Sequence, residues 1–229
     1  MPGAYPRIRA AGDRAIVVEF GETIDPAISA MVTRLDARLA ALRPAGLVET
    51  VPTYRSLMVH HDPVAGDPEA LAATLERLAV EAAREPRASP NGARVGRLVE
   101  VPVVYGGDEG PDMAYVCERT GLSPEEVVRR HTAPTYVVYM LGFLPGYPYL
   151  GGLDPSLAVP RLATPRLRIP GGSVGIGGQQ TGIYTLESPG GWAIIGRTSL
   201  TLFDPLREEP CLILAGDRVR FVAVARQER

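Results

Sequence analysis

A chain of 229 residues, 45% hydrophobic and 22% charged, carries enough apolar material for one or two packed cores. Its formal net charge of −2 gives no field that would recruit nucleic acid or an anionic membrane. All 24 basic residues are arginine. That excludes a phosphate-loop lysine, a Schiff-base lysine and a biotin-accepting lysine, and leaves arginine, backbone N–H groups or a helix N-terminus for any anion site.

The first twenty residues lack a basic stretch followed by an apolar one, so no secretion signal is read and a cytoplasmic location is expected. Ala15–Phe20 reads as a strand. Pro26–Leu42 reads as a helix, with Ile28, Met31, Val32, Leu35, Leu39 and Leu42 on one face. Gly46–Val51 and Ser56–His60 read as the next strands. Asp67-Pro68-Glu69 opens a second helix, with a cap, a proline in the first turn and an acid at the positive end of the dipole. Leu71, Leu75, Leu78 and Ala82 form its apolar face. Arg84–Arg97 holds Pro86, Pro90, Asn91 and Gly92 and reads as a linker.

Leu98–Tyr105 is a further strand, which either closes the first domain or leads into the next. Counted with it, the order is β-α-β-β-α-β, a ferredoxin-like pattern. Two short helices follow, about Asp112–Arg119 and Ser123 to His131. The second opens on Ser123-Pro124-Glu125-Glu126, a capping box with proline at its first position. From Pro134 helical periodicity stops and short apolar runs alternate with Gly and Pro, which predicts a β-barrel or sandwich. The uncharged run Thr132–Leu153 is long enough to span a membrane. Pro134, Pro145, Pro148 and four glycines would break such a helix, so it reads as a buried strand followed by a loop. The predicted class is α+β, with domains at 1–95 and 96–229.

Catalytic signatures such as HExxH, GxSxG, GxGxxG after a strand and the phosphate loop are absent. Cys117 and Cys211 stand far apart without a CxxC, so neither a disulfide framework nor a zinc site is read. His60 and His61 point to opposite faces of one strand and do not chelate a metal together. No metal site is expected on this chain. His131 ends a capped helix, either as a cation on the dipole or as a binding or proton-transfer group. The segment from Ile169 to Tyr184 has six glycines in sixteen positions and no charge. It reads either as tight turns at a barrel rim or as a loop presenting N–H groups as an anion nest. Arg161, Arg166 and Arg168 interleave with prolines, and Arg197 stands in an otherwise uncharged strand. The aromatic loop with Phe143, Pro145, Tyr147 and Tyr149 is either a hydrophobic plug or a surface that docks another chain.

VVYGGDEGPDM, HTAPTYVVYMLGFLPGYPYLGGLD and VPRLATPRLRIPGGSVGIGGQQTGIYTLESPGGWAIIGRTSLTLFDP together resemble the 5-oxoprolinase B-subunit family, also called the KipI or allophanate hydrolase subunit 1 family. One half of the carboxyltransferase region of urea carboxylase is similar too. The likeness is dense from Tyr105 to Pro205, and Tyr147 stands where phenylalanine is commoner. The resemblance implies a ferredoxin-like first domain and a cyclophilin-like β-barrel second domain. It implies two further proteins, the C-type 5-oxoprolinase subunit as direct partner, plus the A-type one. Together such proteins open 5-oxo-L-proline to L-glutamate with ATP and Mg²⁺.

On that reading the chain supplies half of a shared site. His131 and Arg197 are its expected catalytic residues. Arg161, Arg166, Ser173, Gly175, Gln179, Gln180, Thr181 and Tyr184 are expected to bind substrate or nucleotide. Other members imply two alternatives: an inhibitor of a sensor histidine kinase, or half of a biotin-dependent urea carboxyltransferase.

Overall fold

Cap-and-proline pairs begin helices at Asp67-Pro68 and Ser123-Pro124, as the sequence predicts, and a third such pair, Asp25-Pro26, opens the first helix. In the computed structural model, which describes residues 5–85 and 96–226, Asp25 accepts from Ala27 N at 2.6 Å and Asp67 from Glu69 N at 2.9 Å. These start α1 (Pro26–Leu42) and α2 (Pro68–Arg84). Buried Val32, Leu35 and Leu39 of α1 and Leu71, Leu75 and Leu78 of α2 join one core with Ile16, Val18, Leu57 and Val59. Those last four come from a sheet of β1 (Arg7–Ala10), β2 (Ala15–Glu19), β3 (Leu47–Pro52) and β4 (Ser56–His61), in the antiparallel order β1-β2-β4-β3. Contacts divide the chain into two compact units, Met1–Val95 and Gly96–Arg229. Most of the linker expected over Arg84–Arg97 lies outside the described residues.

The first unit's observed order is β-β-α-β-β-α, not β-α-β-β-α-β. The sheet edge beside β2 is taken by β1, a four-residue strand that sequence reading missed. Strand β5 (Leu98–Tyr105) lies in the second unit. There it runs parallel to β13 (Arg218–Ala223) and antiparallel to β12 (Ala193–Arg197). With β6 (Tyr136–Leu141), β7 (Pro148–Gly151), β9 (Ser173–Gly177) and β10 (Gln180–Ile183) these strands close a barrel in the order β10-β7-β6-β13-β5-β12-β9. Strands β8 (Arg166–Ile169) and β11 (Ser188–Gly190) form a separate two-stranded arm. The protein is therefore α+β, with a closed seven-stranded barrel.

Inward residues Val101, Val103, Tyr136, Val138, Leu150, Val174, Ile176, Ile195 and Phe221 fill the barrel. Met113 and Val116 of α3 (Met113–Thr120) and Val127 of α4 (Pro124–Thr132) extend the same core. At the start of α4, Ser123 Oγ accepts from Glu126 N at 3.3 Å, while the Glu126 carboxylate accepts from Arg129 and Arg130 rather than completing the box. The apolar run Thr132–Leu153 becomes β6, a turn and β7. Among the described residues no helix is long and apolar enough to cross a membrane.

The Ile169–Tyr184 segment is mainly a hairpin of β9 and β10, not an exposed loop. Strand β9 pairs with β10 on one side and β12 on the other, so its amides serve sheet ladders rather than an anion nest. Its glycines make room for rings. A Cβ on Gly177 would sit 2.6 Å from the Trp192 ring, and one on Gly182 would sit 2.7 Å from the Tyr147 hydroxyl. Gly177→Val is expected to cost about 1–3 kcal/mol, in the range for overpacked cores. Urea unfolding measures the cost, and a shifted Trp192 emission shows that the ring has moved. An unchanged midpoint would mean that the ring gives way freely.

Candidate functional site

Two of the recesses on the barrel unit hold sequence-predicted residues, Arg197 in one and Phe143, Tyr147, Tyr149, Arg161 and Tyr184 in the other. The first is a cleft of about 460 Å³ with a mixed lining, Glu109, Thr185, Arg197, Thr198, Ser199 and Thr201 beside Pro102, Leu186, Leu200 and Phe203. Arg197 ends β12, where the strand leaves the barrel. Its Nε donates to the Gly171 carbonyl at 2.9 Å and its Nη1 lies 3.6 Å from Glu109. The side chain is 44% exposed, so the guanidinium is positioned while still facing the cleft. One fixed cation among hydroxyls suits an oxyanion or a developing negative charge.

The second recess, about 330 Å³, is walled by Phe143, Tyr147, Tyr149, Tyr184 and Trp192, with Arg161 at its edge. Tyr147 is the hub, with ring centroids 5.4 Å from Tyr184, 6.0 Å from Trp192 and 5.0 Å from Tyr149. Phe143 holds a left-handed backbone at φ 68° and is 59% exposed. Such a conformation costs a bulky residue about 1–2 kcal/mol. It is maintained while the ring sits edge-on to Tyr147 and Tyr184. The adjacent residues Tyr184 and Thr185 line different recesses.

Comparison with known proteins gives the chain a family. A model described as carboxyltransferase domain, subdomain C and D, matches residues 6–213. The 5-oxoprolinase B subunit from Escherichia coli O157:H7 is 45% identical over 212 residues, 92% of this chain and 93% of that one. Its namesake in Bacillus subtilis strain 168 is 39% identical over 232 residues, covering 97% and 94%. The chain belongs to the 5-oxoprolinase B-subunit family. The solved structure of TTHA0988 matches it with a TM-score of 0.81 at 38% identity, over 94% of this chain and 41% of that longer one.

In this member of the 5-oxoprolinase B-subunit family, His131 lies inside the barrel unit and does not line either recess. It is fully buried, and desolvation pushes its pKa down to about 3. It is therefore neutral, not the helix-end cation that sequence allows. Thr181 Oγ1 donates to the Gly175 carbonyl at 3.0 Å, so it accepts from His131 Nε2 at 2.9 Å. His131 Nδ1 then accepts from the Tyr105 hydroxyl at 2.8 Å. The ring of Phe221 packs against it at 4.5 Å between centroids. This environment gives His131 a core-organising part rather than direct contact with a ligand in either recess.

Arg166 is also committed elsewhere. It forks onto Asp112 at 2.7 and 2.5 Å, and Asp112 accepts from Ile194 N at 2.7 Å. Ser173 is buried on β9 opposite Arg197, and Gly175 is buried on the same strand. Gln179 is exposed in the β9–β10 turn, and Gln180 is half-buried at the start of β10. Pro145 is exposed, and its carbonyl accepts from Thr185 Oγ1 at 2.8 Å. Sequence reading missed Glu109, Thr198, Ser199 and Trp192. Trp192, the chain's one tryptophan, follows a Gly-Gly pair, a signal that was available.

Proposed function

We propose that this chain is a cytoplasmic component of an ATP-dependent enzyme that opens 5-oxo-L-proline to L-glutamate, together with 5-oxoprolinase partners of the C and A types. The observation that carries this reading is the near-full-length likeness to proteins named as 5-oxoprolinase B subunits. The incomplete chemistry of the Arg197 cleft supports it. The cleft offers one cation, one carboxylate and several hydroxyls, and no histidine or cysteine lines it. A lactam is a poor electrophile, and negative charge gathers on its oxygen as the ring opens. Arg197 is placed to stabilise such charge, while the remaining acid–base groups come from a partner protein.

The described residues do not fit Mg²⁺–ATP well. They contain no group of three His, Cys, Asp or Glu side chains able to hold a cation, and the glycine segment spends its amides in sheet ladders. The nucleotide and its metal are therefore assigned to the complex rather than to this chain. The exposed Phe143 and Pro145 are offered as partner contacts.

The test combines the purified chain with its C-type and A-type partners and measures ATP hydrolysis that depends on 5-oxoproline. Activity is expected from the mixture and not from the chain alone. An inert full mixture would sink the proposal, and a requirement for biotin and bicarbonate would favour a carboxyltransferase half-site. Arg197→Ala is expected to lower kcat/KM at least about tenfold, the scale for one charged donor at a transition state. Its unfolding midpoint should stay close to wild type, because the side chain is well exposed.

A further inference from the structure

The aromatic recess is built as a binding pocket in its own right. Tyr147, Tyr184 and Trp192 are 5% exposed or less and pack together with Ile169 and Ile194, so its walls are fixed before any ligand arrives. The backbone around Arg161 is tied down on both sides. Val159 bridges to Gly178, and Leu162 N donates to the Gly191 carbonyl at 2.7 Å. The neighbouring Arg166 and Arg168 are paired to Asp112 and Glu187. Arg161 has no carboxylate partner among the described residues. Arg161 lines the recess together with Tyr149 and Tyr184, so one cation and two phenols share the pocket.

We propose that this pocket binds a small ring carboxylate, with Arg161 holding the carboxylate and the rings of Tyr147, Tyr184 and Trp192 taking the apolar ring. The fork of an arginine suits a planar carboxylate, and aromatic faces suit a flat ring. The volume of about 330 Å³ admits a five-membered lactam acid with room for a closing group. Where the ring is that of 5-oxoproline, the proposal rests on the function above: it assigns initial capture of the acid to this pocket and leaves ring opening at the Arg197 cleft.

Trp192 is the one tryptophan of the chain and lines the pocket, so its fluorescence reports occupancy directly. The purified full chain is titrated with 5-oxo-L-proline, cyclopentanecarboxylate and 2-pyrrolidinone. Both acids should change the emission with saturation, and 2-pyrrolidinone, which lacks the carboxylate, should bind at least about tenfold more weakly, as for loss of a charged hydrogen bond. Arg161→Ala and Arg161→Gln should each weaken the acids by a similar factor. Arg168→Ala, on the exposed arm, should leave binding unchanged.

No response to either acid, equal binding of 2-pyrrolidinone, or wild-type binding in both Arg161 variants overturns the proposal. The three-component mixture separates this failure from that of the function. Full 5-oxoprolinase activity with an unchanged KM in Arg161→Ala removes the pocket and keeps the function. Arg161-dependent binding of cyclopentanecarboxylate beside an inert mixture keeps the pocket and removes the function.

Discussion

Asp112→Ala is expected to destabilise the barrel unit by about 2–3 kcal/mol, below the 3–5 kcal/mol typical of breaking a fully buried ion pair. The Asp112 side chain is 8% exposed and accepts three bonds, two from the Arg166 fork and one from Ile194 N. Its own backbone N donates to the Ile194 carbonyl at 2.9 Å, so one residue clamps β12 through both main chain and side chain. Removing the carboxylate orphans a buried amide and strips Arg166 of its counter-charge. Arg166 is 35% exposed and recovers some hydration, which is why the lower figure applies. Asp112→Asn keeps an acceptor for Ile194 N and should fall between wild type and alanine. Arg166→Ala leaves a nearly buried carboxylate unpaired and should cost at least as much as Asp112→Ala. Urea unfolding of the two single variants and the double variant measures the coupling, expected at about 1–3 kcal/mol. A loss under about 0.5 kcal/mol in Asp112→Ala, the size of an ordinary surface change, would show that the clamp is dispensable.

That clamp also shows where sequence reading stops. The helix starts at Asp67-Pro68 and Ser123-Pro124 were legible because a cap and its amide are two or three residues apart. Arg166 and Asp112 are 54 residues apart, and nothing local in either segment points to the other. The parallel pairing of β5 with β13 joins Leu98 to Arg218, so closure of the barrel is equally non-local. The first sheet failed differently. Strand β1 has only four residues, RIRA, and so short an alternation does not separate a strand from a polar loop.

The candidate site was legible as a region and not as geometry. Gly177 and Gly182, in a segment that reads either as rim turns or as an anion nest, have Trp192 and Tyr147 lying across them, and a missing Cβ looks the same in sequence for each purpose. Arg197 and Arg161 were singled out as members of one surface. They line different recesses, because Arg197 ends β12 while Arg161 stands in the segment before β8, a separation that no local pattern shows. His131 could be read from its helix end alone, but its decisive neighbours Tyr105 and Thr181 arrive from β5 and β10.

Those neighbours make His131 a source of acid sensitivity. Its folded pKa, about 3, lies below the unfolded value of about 6.5. The unfolded state therefore binds the proton first, and stability falls as pH drops below the unfolded value, levelling off only near the folded one. For these two values the loss from this group is about 2 kcal/mol at pH 5 relative to pH 8. The physical cause is that an imidazolium in this site would lie desolvated against Phe221, with the Tyr105–His131–Thr181 chain forced to reverse one of its donors. His131→Gln removes the titration while keeping a donor and an acceptor at the position. The variant should be less stable at pH 8, since Gln does not fill the ring's place, yet its unfolding midpoint should fall less between pH 8 and pH 5. Other titrating groups contribute equally to both proteins, so the difference between the two pH profiles isolates His131. Parallel profiles would mean that His131 takes up its proton as readily in the folded as in the unfolded state, so that the buried site imposes no penalty on the imidazolium.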